Sequence, residues 1–189
     1  MAIVDFLCRQ SLFHCSGRYA EYGKSVCGEI MKYFALLFCF WLTACSSLPQ
    51  VERLPPQQQA VRVFKVEQLN AQHQLQQASL LTLQTEPQQW RWVQTDPLGA
   101  PLARVILTPQ GWQNDGFIMP NQQARRLFSA LATALNPQHP LFTFSRIEPV
   151  AQGNDYFIQH NKVWRIALRP PQIEIHLADD SRWRIEELN

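Results

Sequence analysis

The chain has 189 residues, with 17 Lys and Arg against 15 Asp and Glu and a formal net charge of +2. A nearly neutral chain without basic clusters gives no electrostatic reason to expect a nucleic-acid partner. All five cysteines, Cys8, Cys15, Cys27, Cys39 and Cys45, lie in the first quarter of the chain. The rest of the chain therefore holds neither a disulfide framework nor a thiolate metal site.

A signal-peptide pattern begins at the second methionine, Met31. Lys32 follows it, and residues 33–42 form an apolar run. The run is too short for a transmembrane helix, which needs about 20 apolar residues, but it fits the apolar part of a secretory signal peptide. We therefore interpret residues 31–44 as the signal peptide and residues 1–30 as an extension upstream of the true start. A precursor mass that includes the extension would contradict this interpretation.

The signal ends in Leu42-Thr43-Ala44-Cys45, which is typical of the lipobox of bacterial lipoproteins. In such proteins the cysteine receives a diacylglyceryl group and becomes the new N-terminus. We therefore predict that Cys45 is lipidated and anchors the chain in a membrane. Ser46 stands where inner-membrane lipoproteins have aspartate, so the sorting rule indicates the outer membrane, with the folded domain facing the periplasm.

The segment after the lipobox is rich in proline and glutamine. Such a composition cannot bury enough apolar surface to order the chain, so we interpret residues 45–60 as a lipidated tether. A folded domain is expected over residues 61–189, which is long enough for one hydrophobic core. From Cys45 onward there are 13 Lys and Arg against 12 Asp and Glu, a net charge of +1.

The domain alternates between apolar and polar residues with a period near two. β-branched and aromatic residues at this period indicate half-buried strands. Turn sequences separate the strands, as in Asp96-Pro97-Leu98-Gly99 and Asn114-Asp115-Gly116. Their regular spacing predicts an antiparallel meander. The apolar positions of these segments include Phe64, Leu81, Trp90, Trp92, Val105, Trp164, Ile175 and Trp183.

One segment, residues 121–135, has helical periodicity instead. Asn121 is the expected N-cap, and Asn136-Pro137 is the expected stop. The narrow apolar stripe suits a helix that lies across a sheet and completes its core. The stripe consists of Ala124, Leu127, Phe128, Leu131 and Leu135.

Catalytic and metal-binding motifs are not found after the signal peptide. The histidines, His73, His139, His160 and His176, show no metal-ligand spacing. No Gly-x-Ser-x-Gly elbow and no glycine-rich phosphate loop is present. Asp179-Asp180 is better explained as a turn than as a catalytic pair. We therefore expect a protein that is not an enzyme and that uses neither a metal nor a cofactor.

The tryptophans leave two interpretations open. Trp90, Trp92, Trp112, Trp164 and Trp183 supply large apolar surfaces with one polar group each. They either fill the core, or some of them line a cavity for acyl chains. In the second case Leu127, Phe128 and Leu131 of the helix would cover the cavity.

The segment Trp90–Gly99, which ends in Asp96-Pro97-Leu98-Gly99, resembles the LolA/LolB family of lipoprotein carriers, in which a similar strand ends in Asn-Pro-Leu-Gly. Residues 170–188 resemble the last hairpin of LolB. Over residues 61–188 the chain is also similar to an uncharacterised family of proteobacterial outer-membrane lipoproteins, whose genes often accompany those for fatty-acid and aryl-polyene type biosynthesis. Residues 96–104 and 112–117 carry that second resemblance.

The resemblance implies an open antiparallel β-barrel with a helix across its concave face, enclosing an apolar cavity. It also implies that Leu98 contacts the membrane during delivery. The chain departs from LolB in showing a single clear helix and in having Asp96 in place of asparagine. The expected function is binding of lipid or an acylated ligand and its delivery or insertion at the outer membrane. The alternative is a non-catalytic envelope assembly factor that binds a protein partner.

Overall fold

The alternating segments form strands, and the helical segment forms a helix. The computed structural model describes residues 48–117, residue 119 and residues 121–188, so Cys45, Ser46 and the signal peptide lie outside the described residues. Among the described residues there are ten strands and one helix: β1 (Val61–Leu69), β2 (Leu75–Glu86), β3 (Gln89–Thr95), β4 (Pro101–Thr108), β5 (Gly111–Asn114), α1 (Gln122–Leu135), β6 (Arg146–Val150), β7 (Gly153–Ile158), β8 (Asn161–Arg169), β9 (Gln172–Leu177) and β10 (Arg182–Leu188).

The strands form one antiparallel sheet in the order β5-β4-β3-β2-β1-β10-β9-β8-β7-β6. Each half of the chain is a meander of five strands, and the pairing of β1 with β10 joins the two halves. Among the described residues the sheet is not closed, and β5 and β6 are its edges. The prediction of a mainly β, antiparallel and open architecture with one helix is therefore confirmed at this level.

The register places the turn Asp96–Ala100 at the same end of the sheet as the turns between β1 and β2 and between β9 and β10. Thr95, the last residue of β3, pairs with Leu80 near the start of β2, and Leu69, the last residue of β1, pairs with Arg182, the first of β10. We call this the Leu98 end of the sheet. The turn between β8 and β9 and the turn between β4 and β5 lie at the opposite end.

Helix α1 begins and ends where the sequence predicts. The side chain of Asn121 accepts a hydrogen bond from the backbone N–H of Ala124 at 3.0 Å, which makes Asn121 the N-cap. At the other end the backbone N–H of Asn136 donates to the carbonyl of Thr133. An N-cap such as Asn121 contributes about 1 kcal/mol to helix stability.

The sheet curves around α1. One turn of the helix reaches both halves of the sheet: Arg125 donates to Asn114 Oδ1 at the end of β5, while Arg126 lies 3.9 Å from Asp179 in the turn before β10. In a flat sheet β5 and β10 would lie about 24 Å apart, because neighbouring strands are separated by about 4.8 Å. The face that carries the helix is therefore concave.

The segment before β1 is the main correction to the sequence analysis. Residues 48–60 were expected to be an unordered tether, but they pack on the domain. Val51 forms a bridge with Phe142, the Glu52 N–H donates to the Leu141 carbonyl at 2.7 Å, and Leu54 packs against the core. The prediction from composition was wrong because a few apolar side chains are enough to dock such a segment on an existing hydrophobic surface. The folded unit begins at Leu48 and has its own continuous core.

Helix α1 is buried more deeply than its narrow apolar stripe predicts. Ser129, Ala130, Ala132 and Thr133 lie off the stripe, yet all four are buried. They are small, so neighbouring segments can approach the helix closely. The helix is thus an interior element of the domain.

Candidate functional site

The concave face under α1 is lined by aromatic residues from β3 and β5. The rings of Trp92 and Phe128 are stacked, with centroids 5.4 Å apart and an interplanar angle of 8°. The rings of Trp90 and Trp112 lie 6.4 Å and 6.3 Å from that of Trp92 in tilted orientations. The indole N–H of Trp112 donates to Ser129 Oγ at 3.1 Å. Offset and tilted geometries of this kind are those that aromatic pairs prefer.

All five side chains proposed as cavity lining come together in this region. They belong to a single core cluster, and none is more than 1% exposed. Within the cluster Phe128 stacks on Trp92, and the ring of Trp90 lies 6.4 Å from that of Trp92. The structure thus places the five side chains in one packed cluster, and their role as the lining of a cavity stays a prediction. These residues are Trp90, Trp92, Leu127, Phe128 and Leu131.

Two of the buried indoles have unpaired N–H groups. Nε1 of Trp92 and Nε1 of Trp164 are inaccessible and have no hydrogen-bond acceptor among the described residues. An unpaired buried donor costs about 1–3 kcal/mol. Trp183, by contrast, donates to Ser181 Oγ at 3.0 Å. The concave face thus offers two donors that an acceptor could satisfy.

A second aromatic group lies in the C-terminal half of the sheet. Phe144 packs edge-on against Tyr156 at 5.0 Å and against Trp164 at 5.7 Å. Phe144 and Tyr156 were not predicted from the sequence, because neither lies in a clear alternating segment. Burial raises the pKa of the Tyr156 hydroxyl, which therefore remains neutral at physiological pH. The cluster is apolar and presents no ionised group to the concave face.

An open cleft of about 390 Å³ gives access to one border of the aromatic cluster. Its size is within the range of small-ligand pockets. The cleft lies between the docked N-terminal segment and the turn that joins β2 to β3. Its walls include Leu54, Pro55, Ala60, Pro87 and Trp90.

Leu98 lies at the apex of the turn between β3 and β4 and is 95% exposed. The Asp96 side chain holds the turn: its Oδ1 accepts from the backbone N–H of Leu98 at 2.9 Å and of Ala100 at 2.8 Å. Gly99 has a φ of +89°, which favours glycine. An asparagine Oδ1 could accept the same bonds, so the departure at Asp96 leaves the turn geometry intact. The exposed leucine is thus presented on a well-ordered support.

Two further exposed apolar residues, Phe117 and Met119, lie on the connection from β5 to α1. Phe117 is fully exposed and Met119 is 84% exposed. The backbone N–H of Asp115 donates to the carbonyl of Arg104, so the chain leaves β5 towards the start of β4 and the Leu98 end of the sheet. Neither residue was predicted from the sequence to be part of a site. The signal available was the apolar run Phe117-Ile118-Met119-Pro120 directly before the N-cap.

An ion cluster supports this connection. Asp115 Oδ2 lies 2.6 Å from Arg91 Nε and 3.2 Å from Arg104 Nη2. The hydrogen bond from Arg91, reinforced by Arg104 and opposed by partial burial, holds the pKa of Asp115 below its ordinary value of 3.8. Asp115 is therefore ionised at any physiological pH. The cluster fixes the chain at the point where it leaves the sheet.

Metal ligation and membrane crossing find no support in the described part of the chain. No group of three or more His, Cys, Asp or Glu side chains is placed there to hold a metal ion. No helix in that part is long and apolar enough to span a membrane. His176 is partly buried between two arginines of neighbouring strands, Arg165 and Arg182. Burial, reinforced by Arg182, lowers its pKa, so it is neutral near pH 7.

Comparison of the chain with models of known protein families and with curated protein sequences finds no match.

Proposed function

We propose that this protein is an outer-membrane-anchored lipoprotein that binds lipid or an acylated ligand and assists its delivery or insertion. One observation carries the proposal: an open, curved sheet presents a wide apolar face, and a single helix covers it through side chains such as Phe128 stacked on Trp92. The sequence resemblance to the LolA/LolB family and the lipobox at Cys45 support it. The protein would act without catalysis, metal or cofactor.

Acyl chains fit the chemistry of this face. The cluster is built from aromatic and aliphatic side chains, so it offers mainly apolar contact, worth about 0.8 kcal/mol for each buried methylene. Binding of this kind is strong in sum and largely indifferent to the head group. The unpaired N–H of Trp92 adds one directional feature, because an ester or amide carbonyl of the ligand could accept from it.

Uptake would require α1 to move away from the sheet, because the side chains beneath it are packed. The polar contacts at its first turn are few and near the surface: Arg125 with Asn114, and Gln123 and Arg126 with Asp179. Exposed contacts of this kind contribute little to stability. The ligand would then replace the contact between Phe128 and Trp92.

The alternative function is a non-catalytic envelope assembly factor that binds a protein partner. The open edge at β6 favours it, because an exposed strand can accept another strand. Ile147 on that edge is 48% exposed, but Pro149 removes one backbone donor. Crosslinking in cells that recovers one dominant protein partner, with no lipid in the purified protein, would favour this alternative.

The test of lipid binding uses quenching of tryptophan fluorescence by a brominated fatty acid. Residues 48–189 are suitable because they form one folded unit. We expect quenching in the wild-type chain and a measurable reduction of it in Trp92→Phe, while Trp90 and Trp112, whose rings lie 6.4 and 6.3 Å from that of Trp92, remain quenched. Trp183→Phe is the matched control and should leave the quenching in place, because Trp183 lies on β10 and its ring is not among those that pack around Trp92 and Phe128.

Mass spectrometry of organic extracts provides the second measurement, and it needs no added ligand. Protein purified from bacterial cells should carry lipid in near-stoichiometric amount. Lipid-free protein that shows no quenching, or quenching that is unchanged in Trp92→Phe, would contradict the proposed site.

A further inference from the structure

Leu98, Phe117 and Met119 are among the most exposed large apolar side chains of the described residues, with exposed fractions of 95%, 108% and 84%. A single exposed apolar residue is ordinary on a protein surface, but these three lie on two neighbouring connections at the same end of the sheet. The register of β3, β4 and β5 brings the connections together. We call the three residues the apolar tip.

The apolar tip is held in place from below. Asp96 fixes the first connection by accepting two backbone hydrogen bonds. Asp115, two residues before Phe117, is fixed by Arg91 and Arg104. Leu98 therefore projects from an ordered turn, so little conformational entropy of its backbone would be lost when it becomes buried, and the connection that carries Phe117 and Met119 starts from a fixed point at Asp115.

Charge near the apolar tip is slightly positive. Arg91, Arg104 and Arg125 stand against the carboxylates of Asp96 and Asp115. Among the described residues Arg125 is bonded to a neutral partner, Asn114 Oδ1, and forms no ion pair. No carboxylate of the described residues neutralises its charge, and the three apolar side chains suit the region just beneath the phosphates of a bilayer.

The start of the folded unit lies at the β5 edge, beside Pro109–Gly111 in the turn between β4 and β5, at the end of the sheet opposite the Leu98 end. Leu48 lines a surface cleft together with Trp112 of β5 and Arg125. The cysteine of the lipobox, Cys45, precedes Leu48 by three residues, which can span at most about 11 Å. An anchor at Cys45 would therefore keep the β5 edge next to the membrane.

We propose that the apolar tip inserts into the surface of a phospholipid bilayer, with Phe117 and Met119 forming a second contact beside Leu98. This proposal rests on the proposed function, in which the chain delivers its ligand to the membrane that holds its anchor. The tip would fix the orientation of the domain, so that the β5 edge faces the bilayer during delivery.

The first test uses the full chain in its own membrane. A photo-crosslinking analogue, p-benzoylphenylalanine, replaces Phe117 in one version and Leu168 in the control version. Leu168 is also exposed, at 54%, but it pairs with Ile173 near the opposite end of the sheet. Irradiation should give phospholipid adducts at position 117 and few at 168. Adducts only to protein, or equal lipid labelling at both positions, would overturn the proposal.

The second test measures flotation of residues 48–189 with vesicles of phosphatidylcholine and phosphatidylglycerol. The double variant Phe117→Ser with Met119→Ser should lose binding by about tenfold or more, because two large apolar side chains no longer reach the bilayer. Leu168→Ser should bind as the wild type does. Unchanged binding in the folded double variant would contradict the apolar tip.

The proposal of lipid binding and the proposal of the apolar tip can be contradicted independently. In the double variant the brominated fatty acid should still quench Trp92, because Phe117 and Met119 are outside the packed cluster beneath α1. Loss of vesicle binding with quenching retained supports the apolar tip. Retained vesicle binding with quenching lost would point instead to damage of the ligand site and would overturn the role given to these two residues.

Discussion

Asp155 on β7 is an example of a charge that the fold buries and pairs. Its side chain is 9% exposed, and both carboxylate oxygens accept from Arg165, at 2.6 and 2.8 Å. Two parallel bonds between guanidinium and carboxylate form the strongest common ion-pair geometry. The hydrogen bond from Arg165, opposed by burial and aided by Lys162, holds the pKa of Asp155 below 3.8.

Replacing this carboxylate should destabilise the domain in a pH-dependent way. Asp155→Asn is expected to lower the free energy of unfolding by about 2 kcal/mol at pH 7, because Arg165 loses its charged partner. The folded-state pKa lies below the unfolded value, so the wild-type advantage is present above about pH 4 and is lost as the pH falls through the folded-state pKa. Urea unfolding of both chains between pH 7 and pH 2.5 measures the difference.

A matched control exists on the neighbouring strand. Arg146 and Glu148 form an ion pair whose side chains are 56% and 45% exposed. Exposed pairs of this kind contribute at most about 1 kcal/mol, so Glu148→Gln should change stability little at any pH. An equal loss in both variants would show that burial is not what gives the Asp155 pair its strength.

Strand packing in the C-terminal meander depends on one glycine. Gly153 begins β7 with a φ of +114°, and a Cβ there would overlap the backbone carbonyl of Ile166 on β8. Gly153→Ala should therefore cost more than about 3 kcal/mol, since backbone strain and steric overlap add. Thermal unfolding followed by circular dichroism measures the loss.

Gly111 is the control that separates backbone strain from steric overlap. It has a similar φ of +110°, but a Cβ added there would meet no other atom within 4 Å. Gly111→Ala should cost only about 1–2 kcal/mol from backbone strain. If the two variants lost equal stability, the close approach of β7 and β8 would not be the cause.

The elements could be predicted from the sequence where periodicity is strong, but not their pairing. Alternation identified the buried face of β3 through Trp90 and Trp92, and the cap at Asn121 fixed the start of the helix. Sequence could not reveal that Asp155 faces Arg165, or that Gly153 touches Ile166, because both contacts depend on the register between strands. It also missed Phe117 and Met119, whose exposure follows from where the chain leaves β5.

At the scale of the whole molecule, the sequence predicts which residues belong to the candidate site but not how they are arranged in space. Helical spacing identified Leu127, Phe128 and Leu131 as the face that meets the sheet, and all three are buried against it. Whether Trp92 is packed or lines an empty space depends on how far the sheet curves. That curvature comes from the long-range contacts of α1 with both halves of the chain, and no local pattern encodes it.

Residues 48–60 can be tested by deletion, because their composition predicts a tether whereas the structure shows them as part of the fold. Val51 and Leu54 pack on the core, and Pro49 and Pro55 are buried. Fully burying an aliphatic side chain contributes about 1.5–3 kcal/mol, and ordering the backbone offsets part of the gain. A chain that starts at Val61 should therefore be less stable than one that starts at Leu48 by about 2 kcal/mol or more. Urea unfolding of the two chains measures this difference. Equal midpoints and slopes would show that residues 48–60 are a tether after all, and the anchor would then no longer hold the β5 edge at the membrane.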